Sequence, residues 1–365
     1  VTPDPDREER RVGTSIDWAL AERVAARIAG EEPFAASYHA DGMAAEFEEL
    51  TAVAQPRVEA ETGFTSQAGP ARARVVDRLD WVRANLASYQ RMLRPVLDRL
   101  DELDGPAAAV SGKVAGAELG ALLGWMSTRV LGQYDLLVLE EENPEEQDLV
   151  YYVGPNILAL EKRQSFPPRE FRLWVALHEV THRTQFTGVP WLRPYFLGLV
   201  EHLVEETDTD PSRFFTAVGR IAEAVRTRTN PLDDGGLAAL FATPDQRVTM
   251  EKVGGLMSLL EGHGDVVMDR AARDLVPSAP RFARVLRARR QEMNLAVKLL
   301  QRLIGLEAKL AQYQQGEAFI AAVEEAGGPS LLNRAFERPE MLPSMAEIRE
   351  PARWLRRVAP EASAA

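Results

Sequence analysis

The chain has no cysteine among its 365 residues, which excludes disulfides, thiolate metal sites and cysteine nucleophiles. Histidine is scarce: the five are His39, His178, His182, His202 and His263. No apolar run approaches the roughly eighteen residues of a membrane span, so no membrane partner is expected. Positive charge is in deficit, with 43 Lys and Arg against 55 Asp and Glu and a net charge of −12. That balance argues against a nucleic-acid partner, which would select a basic face. The arginine-rich stretch 284–290 reads as a solvated helix face. The polar start of the chain lacks an apolar signal core, so a cytoplasmic location is expected. Length permits one large domain or two smaller ones.

What is present is concentrated in Leu177-His178-Glu179-Val180-Thr181-His182, a His-Glu-x-x-His stretch inside a helical pattern from about 168 to 186. Histidines four apart on a helix stand one turn above the other, so both rings can address one metal ion. Imidazole suits zinc, which in a catalytic site takes three protein ligands and keeps a position open. Glu179 is then placed to act as general base toward a water molecule. Arg169, Arg172, Glu179 and Arg183 form a more polar flank of this helix. The plain alternative is a buried helix whose histidines are satisfied by hydrogen bonds.

A third ligand has three candidates. Glu261 ends the apolar run 255–260, where a buried carboxylate needs a partner or a metal. Asp265, four residues on, shares its face and is placed to orient a ligating histidine. Gly262 and Gly264 permit close approach of another chain segment. Glu206, with Asp210 at the same spacing, lies nearer the motif but in a charged helix end. His263 projects about 200° from Glu261 on a regular helix.

Around these residues the pattern is mainly α with a small β-sheet, an α+β chain. Helices are predicted over 15–29 with Ser15 as N-cap, and over 40–61 with a kink near Pro56. A long helix is predicted over 70–103, bent at Pro95, and a small-residue helix over 107–131. Strands are predicted at 134–139 and 149–153, with a third short one at 157–160. Helices over 191–206, 211–228, 244–275, 279–303 and 317–326 complete the chain. A division at about residue 132 separates a helical region, 1–132, from a region holding the motif, 133–365.

The pairing of His178-Glu179-x-x-His182 with Glu261-x-x-x-Asp265 resembles the gluzincin branch of zinc metallopeptidases. The Leu-Leu-Glu-Gly-His segment at 259–263 and the helical surroundings are similar to an actinobacterial zincin-like family of proposed zinc-dependent hydrolases. Some members of that family are associated with deazaflavin-cofactor biosynthesis. The resemblance covers about 16–355. It implies a zincin-like core with Zn2+ on His178, His182 and Glu261, Glu179 as general base, and Asp265 supporting a histidine. His263 remains an alternative ligand or outer partner. The interval from His182 to Glu261 is longer than in compact gluzincins, so the ligand helix must return after an inserted helical section. The substrate implied is a peptide or other amide. Tyr151, Tyr152, Tyr195 and His263 are candidates to stabilise an oxyanion, and the strands at 134–139 and 149–153 to supply a peptide-aligning edge. The competing reading is a non-catalytic helical scaffold or binding protein that retains the metal site.

Overall fold

The computed structural model describes residues 16–34, 37, 39–100, 106–136, 148–205, 243–291 and 306–358. They are mostly helical, with a small three-stranded sheet. The chain divides into two compact units, Val1–Leu50 with Arg72–Phe166, and Thr51–Ala71 with Pro167–Ala365. No helix among the described residues is long and apolar enough to cross a membrane.

In the first unit, α1 (Trp18–Ala29) begins at Asp17, not at Ser15, because the Asp17 carboxylate accepts from the Leu20 amide at 2.8 Å. Gly30 closes α1 with φ 62°, a left-handed value that suits glycine. Helix α2 (Met43–Thr62) carries Pro56 in its interior, and the division between the units falls within it. The predicted long helix over 70–103 is two elements, strand β1 (Arg72–Val76) and helix α3 (Arg78–Leu100). Helix α4 (Pro106–Ser127) lies backbone-close to α1: a Cβ on Gly124 would stand 2.6 Å from the Ala25 carbonyl oxygen. Trp81, Val82, Leu86, Leu123 and Val153 form the core beside them with Ala21 and Ala25.

Strands β2 (Gly132–Tyr134) and β3 (Leu149–Val153) pair antiparallel, while β1 pairs parallel to β3 from Arg72↔Leu149 to Val76↔Val153. The order β1-β3-β2 makes β3 the central strand, so of the two strands expected to supply an edge β3 offers none, while β2 is an outer strand over Gly132–Tyr134 and not over 134–139. Every residue of β3 is buried, which explains its unbroken apolar run. The strand expected at 157–160 is instead the interior of helix α5 (Gly154–Gln164). Asn156 in its first turn donates at 2.7 Å to the carbonyls of Ser127 and Val130 and accepts at 2.8 Å from Arg78 Nε. Those bonds tie the first turn of α5 to the end of α4, a tertiary contact that short apolar periodicity cannot reveal. Because β3 pairs with β1, the compact units are drawn differently from the expected 1–132 and 133–365 regions.

The second unit is helical. It contains α6 (Pro168–Gly188), α7 (Leu192–Glu205), α8 (Pro244–Ala272), α9 (Ala279–Gln291), α10 (Leu306–Asn333), α11 (Met345–Arg349) and α12 (Pro351–Val358). The expected helix over 211–228 lies outside the described residues. Helix α8 starts at a capping box, in which Thr243 and Gln246 exchange side-chain bonds with each other's backbone amides, and Pro244 occupies the first turn. Helices α8 and α10 meet backbone to backbone at Gly262 and Gly316: a Cβ on Gly262 would fall 2.5 Å from the Gly316 carbonyl carbon. That contact anchors the turn of α8 that carries Glu261. Helix α10 is kinked at Gly328, φ 73°. Trp354 of α12 is buried edge-on to Phe319 of α10, and its Nε1 donates to the Met341 carbonyl at 2.8 Å.

Candidate metal centre

Helix α6 is buried on nearly every side, as an interior helix must be. From Phe171 to Phe186 every position is buried except His178 and His182. The flank read as polar is therefore not solvent-facing: Arg172, Glu179 and Arg183 are buried too. Pro168 opens the helix, and Glu170 in its first turn accepts from the Ser278 amide at 2.9 Å.

The i, i+4 spacing stacks the two imidazoles, with ring centroids 4.6 Å apart and planes nearly perpendicular. Their Nε2 atoms face each other at 3.2 Å. Opposite them runs α8, antiparallel at this point. Glu261 Oε2 lies 3.5 Å from His182 Nε2, and Asp265 Oδ1 lies 3.8 Å from His178 Nδ1. One i, i+4 pair thus meets another, ring to carboxylate. Gly264 stands between the two carboxylates in sequence, and a Cβ there would sit 3.2 Å from His182 Cε1 and 3.8 Å from His178 Cε1.

His178, His182 and Glu261 each offer one ligand atom within 4.8 Å of the others. Zinc–nitrogen and zinc–oxygen bonds of about 2.0–2.1 Å define a tetrahedron with edges of about 3.3 Å. The observed 3.2 and 3.5 Å separations match such edges, and the donor set suits a borderline-soft cation. The residues fit zinc. Asp265 reaches His178 from the Nδ1 side, leaving Nε2 toward the other donors.

Electrostatics agree with a cation at this place. Burial acts to lower the pKa of His182, but the Glu261 carboxylate, helped by Glu179, outweighs it and holds the value up at about 9. His263 goes the other way: burial first, then the charges of His182 and Arg270, push it down to about 3.

The remaining candidates fall elsewhere. His263 is buried between the rings of Phe64 and Phe336, at centroid distances of 5.9 and 5.0 Å, with Gln185 Nε2 2.9 Å from its Nδ1. It does not join the donor group, in keeping with its opposed position on α8. Glu206 and Asp210 lie outside the described residues. Tyr152 is buried and stacked on Phe47 at 4.0 Å, a packing role, and Tyr151 is buried beside it in β3. Tyr195 packs edge-on to Trp191.

Sequence reasoning missed Gln185. Its Oε1 lies 3.0 Å from His182 Nδ1, while its Nε2 donates to the Leu260 carbonyl at 2.9 Å. A buried amide three residues beyond His182 was the only available signal, and nothing local shows what it bonds.

A helix-borne histidine pair facing a glutamate on an antiparallel helix is a donor set that could hold a single metal ion. The chain belongs to the zincin-like metallopeptidase family, whose family model matches residues 16–355. It is similar to the crystal structure of a proposed hydrolase with a novel fold from Chloroflexus aurantiacus. That similarity has 32% sequence identity and a TM-score of 0.69, and covers 94% of this chain and 98% of the other. No curated protein matches the chain.

Proposed function

We propose that the protein is a zinc-dependent hydrolase of peptide or other amide bonds. The observation that carries this reading is that His178 Nε2 and Glu261 Oε2 lie 3.2 and 3.5 Å from His182 Nε2, separations a single zinc ion would span. Family membership and the likeness to a proposed hydrolase support it. Bound zinc would polarise a carbonyl and draw the pKa of water toward neutrality.

The chain's own residues supply the rest. The Glu179 carboxylate is buried and close enough to act electrostatically on His182. It accepts the proton of the attacking water and returns it to the leaving amine. Asp265 lies 3.8 Å from His178 Nδ1, on the side of that ring away from the other donors, where it can orient the ring.

The test is Glu179→Gln, which keeps size and removes the base. Zinc content should stay unchanged, while turnover falls by roughly 10²–10⁴-fold. A peptide library read by mass spectrometry, with and without chelator, reports both. Equal cleavage by the two proteins would assign the activity to a contaminant. Zinc retention without cleavage by either would put a non-catalytic metal-holding scaffold ahead of the hydrolase.

A further inference from the structure

Gln185 is fully buried, and its amide touches three groups. Nε2 stands 2.9 Å from the Leu260 carbonyl oxygen and 2.9 Å from His263 Nδ1, and Oε1 stands 3.0 Å from His182 Nδ1. A backbone carbonyl can only accept, so the nitrogen end of the amide must face Leu260. Turning the amide over would set two acceptor oxygens 2.9 Å apart in a buried place.

That one orientation dictates the two rings. Oε1 only accepts, so His182 Nδ1 must carry a proton. Nε2 only donates, so His263 Nδ1 must be bare, and the proton of the neutral ring sits on its Nε2.

We propose that Gln185 is a positioning residue: anchored on the Leu260 carbonyl, it keeps a proton on His182 Nδ1 and leaves His263 Nδ1 bare. With Nδ1 of His182 committed to Gln185, its Nε2 is the nitrogen presented to His178 and Glu261. His263, held by Nδ1 and protonated on Nε2, has no lone pair to give a metal. The same amide ties α6 to α8 one residue before Glu261, so it sets the ring and the carboxylate together. For its effect on zinc the proposal rests on the metal reading above. The ring protonation stands apart from that reading.

Ring-nitrogen NMR of histidine-labelled protein, metal-free and zinc-loaded, tests the assignment directly. His182 Nδ1 should be protonated in both forms, and His263 should be bare at Nδ1 and protonated at Nε2. A bare Nδ1 on His182, or a proton on His263 Nδ1, overturns it. Gln185→Met, of similar length but without the hydrogen bonds, should bind zinc about 10–100-fold more weakly in a chelator competition. The His263 ring should then no longer be confined to one tautomer. A folded Gln185→Met protein with native zinc affinity and native ring signals would reduce Gln185 to a packing residue. Failure of the wild-type protein to bind zinc would sink the metal reading, and the ring signals would still decide the tautomers.

Discussion

His178 Nε2 and His182 Nε2 face each other across 3.2 Å, a gap that one proton or one metal ion can bridge. Glu261 supplies negative charge at 3.5 Å from the same His182 atom, and without metal the proton is held there with a pKa of about 9. Zinc must displace that proton. Apparent zinc affinity should therefore rise by about tenfold per pH unit up to about 9 and level off above it. Chelator-competition titrations from mildly acid to alkaline pH measure this, and a pH-independent affinity would contradict it.

Two histidines, His182 and His263, should shape the stability of the metal-free protein. His182 is raised from 6.5 to about 9, so its contribution is full below 6.5 and is lost as pH rises through about 9. His263 is depressed from 6.5 to about 3, so the unfolded chain takes a proton that the folded one refuses. Its contribution is full above 6.5 and is lost as pH falls toward 3. Melting temperature against pH should show both limbs, and His182→Gln should flatten the alkaline one. An unchanged alkaline limb in that variant would refute the assignment.

Ligand substitutions should separate by position. His182→Ala and Glu261→Ala remove donor atoms and should cost more zinc affinity than the roughly 10–100-fold typical of outer partners. Asp265→Asn, which leaves the donors in place, should fall within that range. Full zinc in Glu261→Ala, by elemental analysis, would move the third ligand elsewhere.

Chelation should lower the melting temperature without abolishing cooperative unfolding. The α8–α10 contact at Gly262 and Gly316, next to Glu261, and the buried Trp354 against Phe319 use no metal donor atom. Zinc adds stability by mass action on the folded state only. Loss of near-ultraviolet circular dichroism after chelation, with helicity kept, would make the site structural instead.

Much of the candidate site's geometry was legible in the sequence. Helical spacing alone puts His178 with His182, and Glu261 with Asp265, because four residues span about one turn. It also separates His263 from Glu261. The fold was less legible where partners decide the outcome. Arg72–Val76 is an alternating, half-buried stretch that is a strand because β3 lies beside it in register. The stretch 157–160, Ile-Leu-Ala-Leu, is a short apolar run that suits strand or helix alike, and it is helix, in α5, whose first turn Asn156 ties to the Ser127 and Val130 carbonyls.

Which residues share a helical face is a matter of local periodicity, repeated at every turn of α6 and α8, and is readable before any fold is known. Which faces meet depends on packing between distant segments: His182 with Glu261, His178 with Asp265, and Gln185 with the Leu260 carbonyl 75 residues away. A side-chain amide has no preferred partner in a sequence. It acquires one when packing leaves a single arrangement in which every buried donor finds an acceptor, and at Gln185 that arrangement includes both histidines.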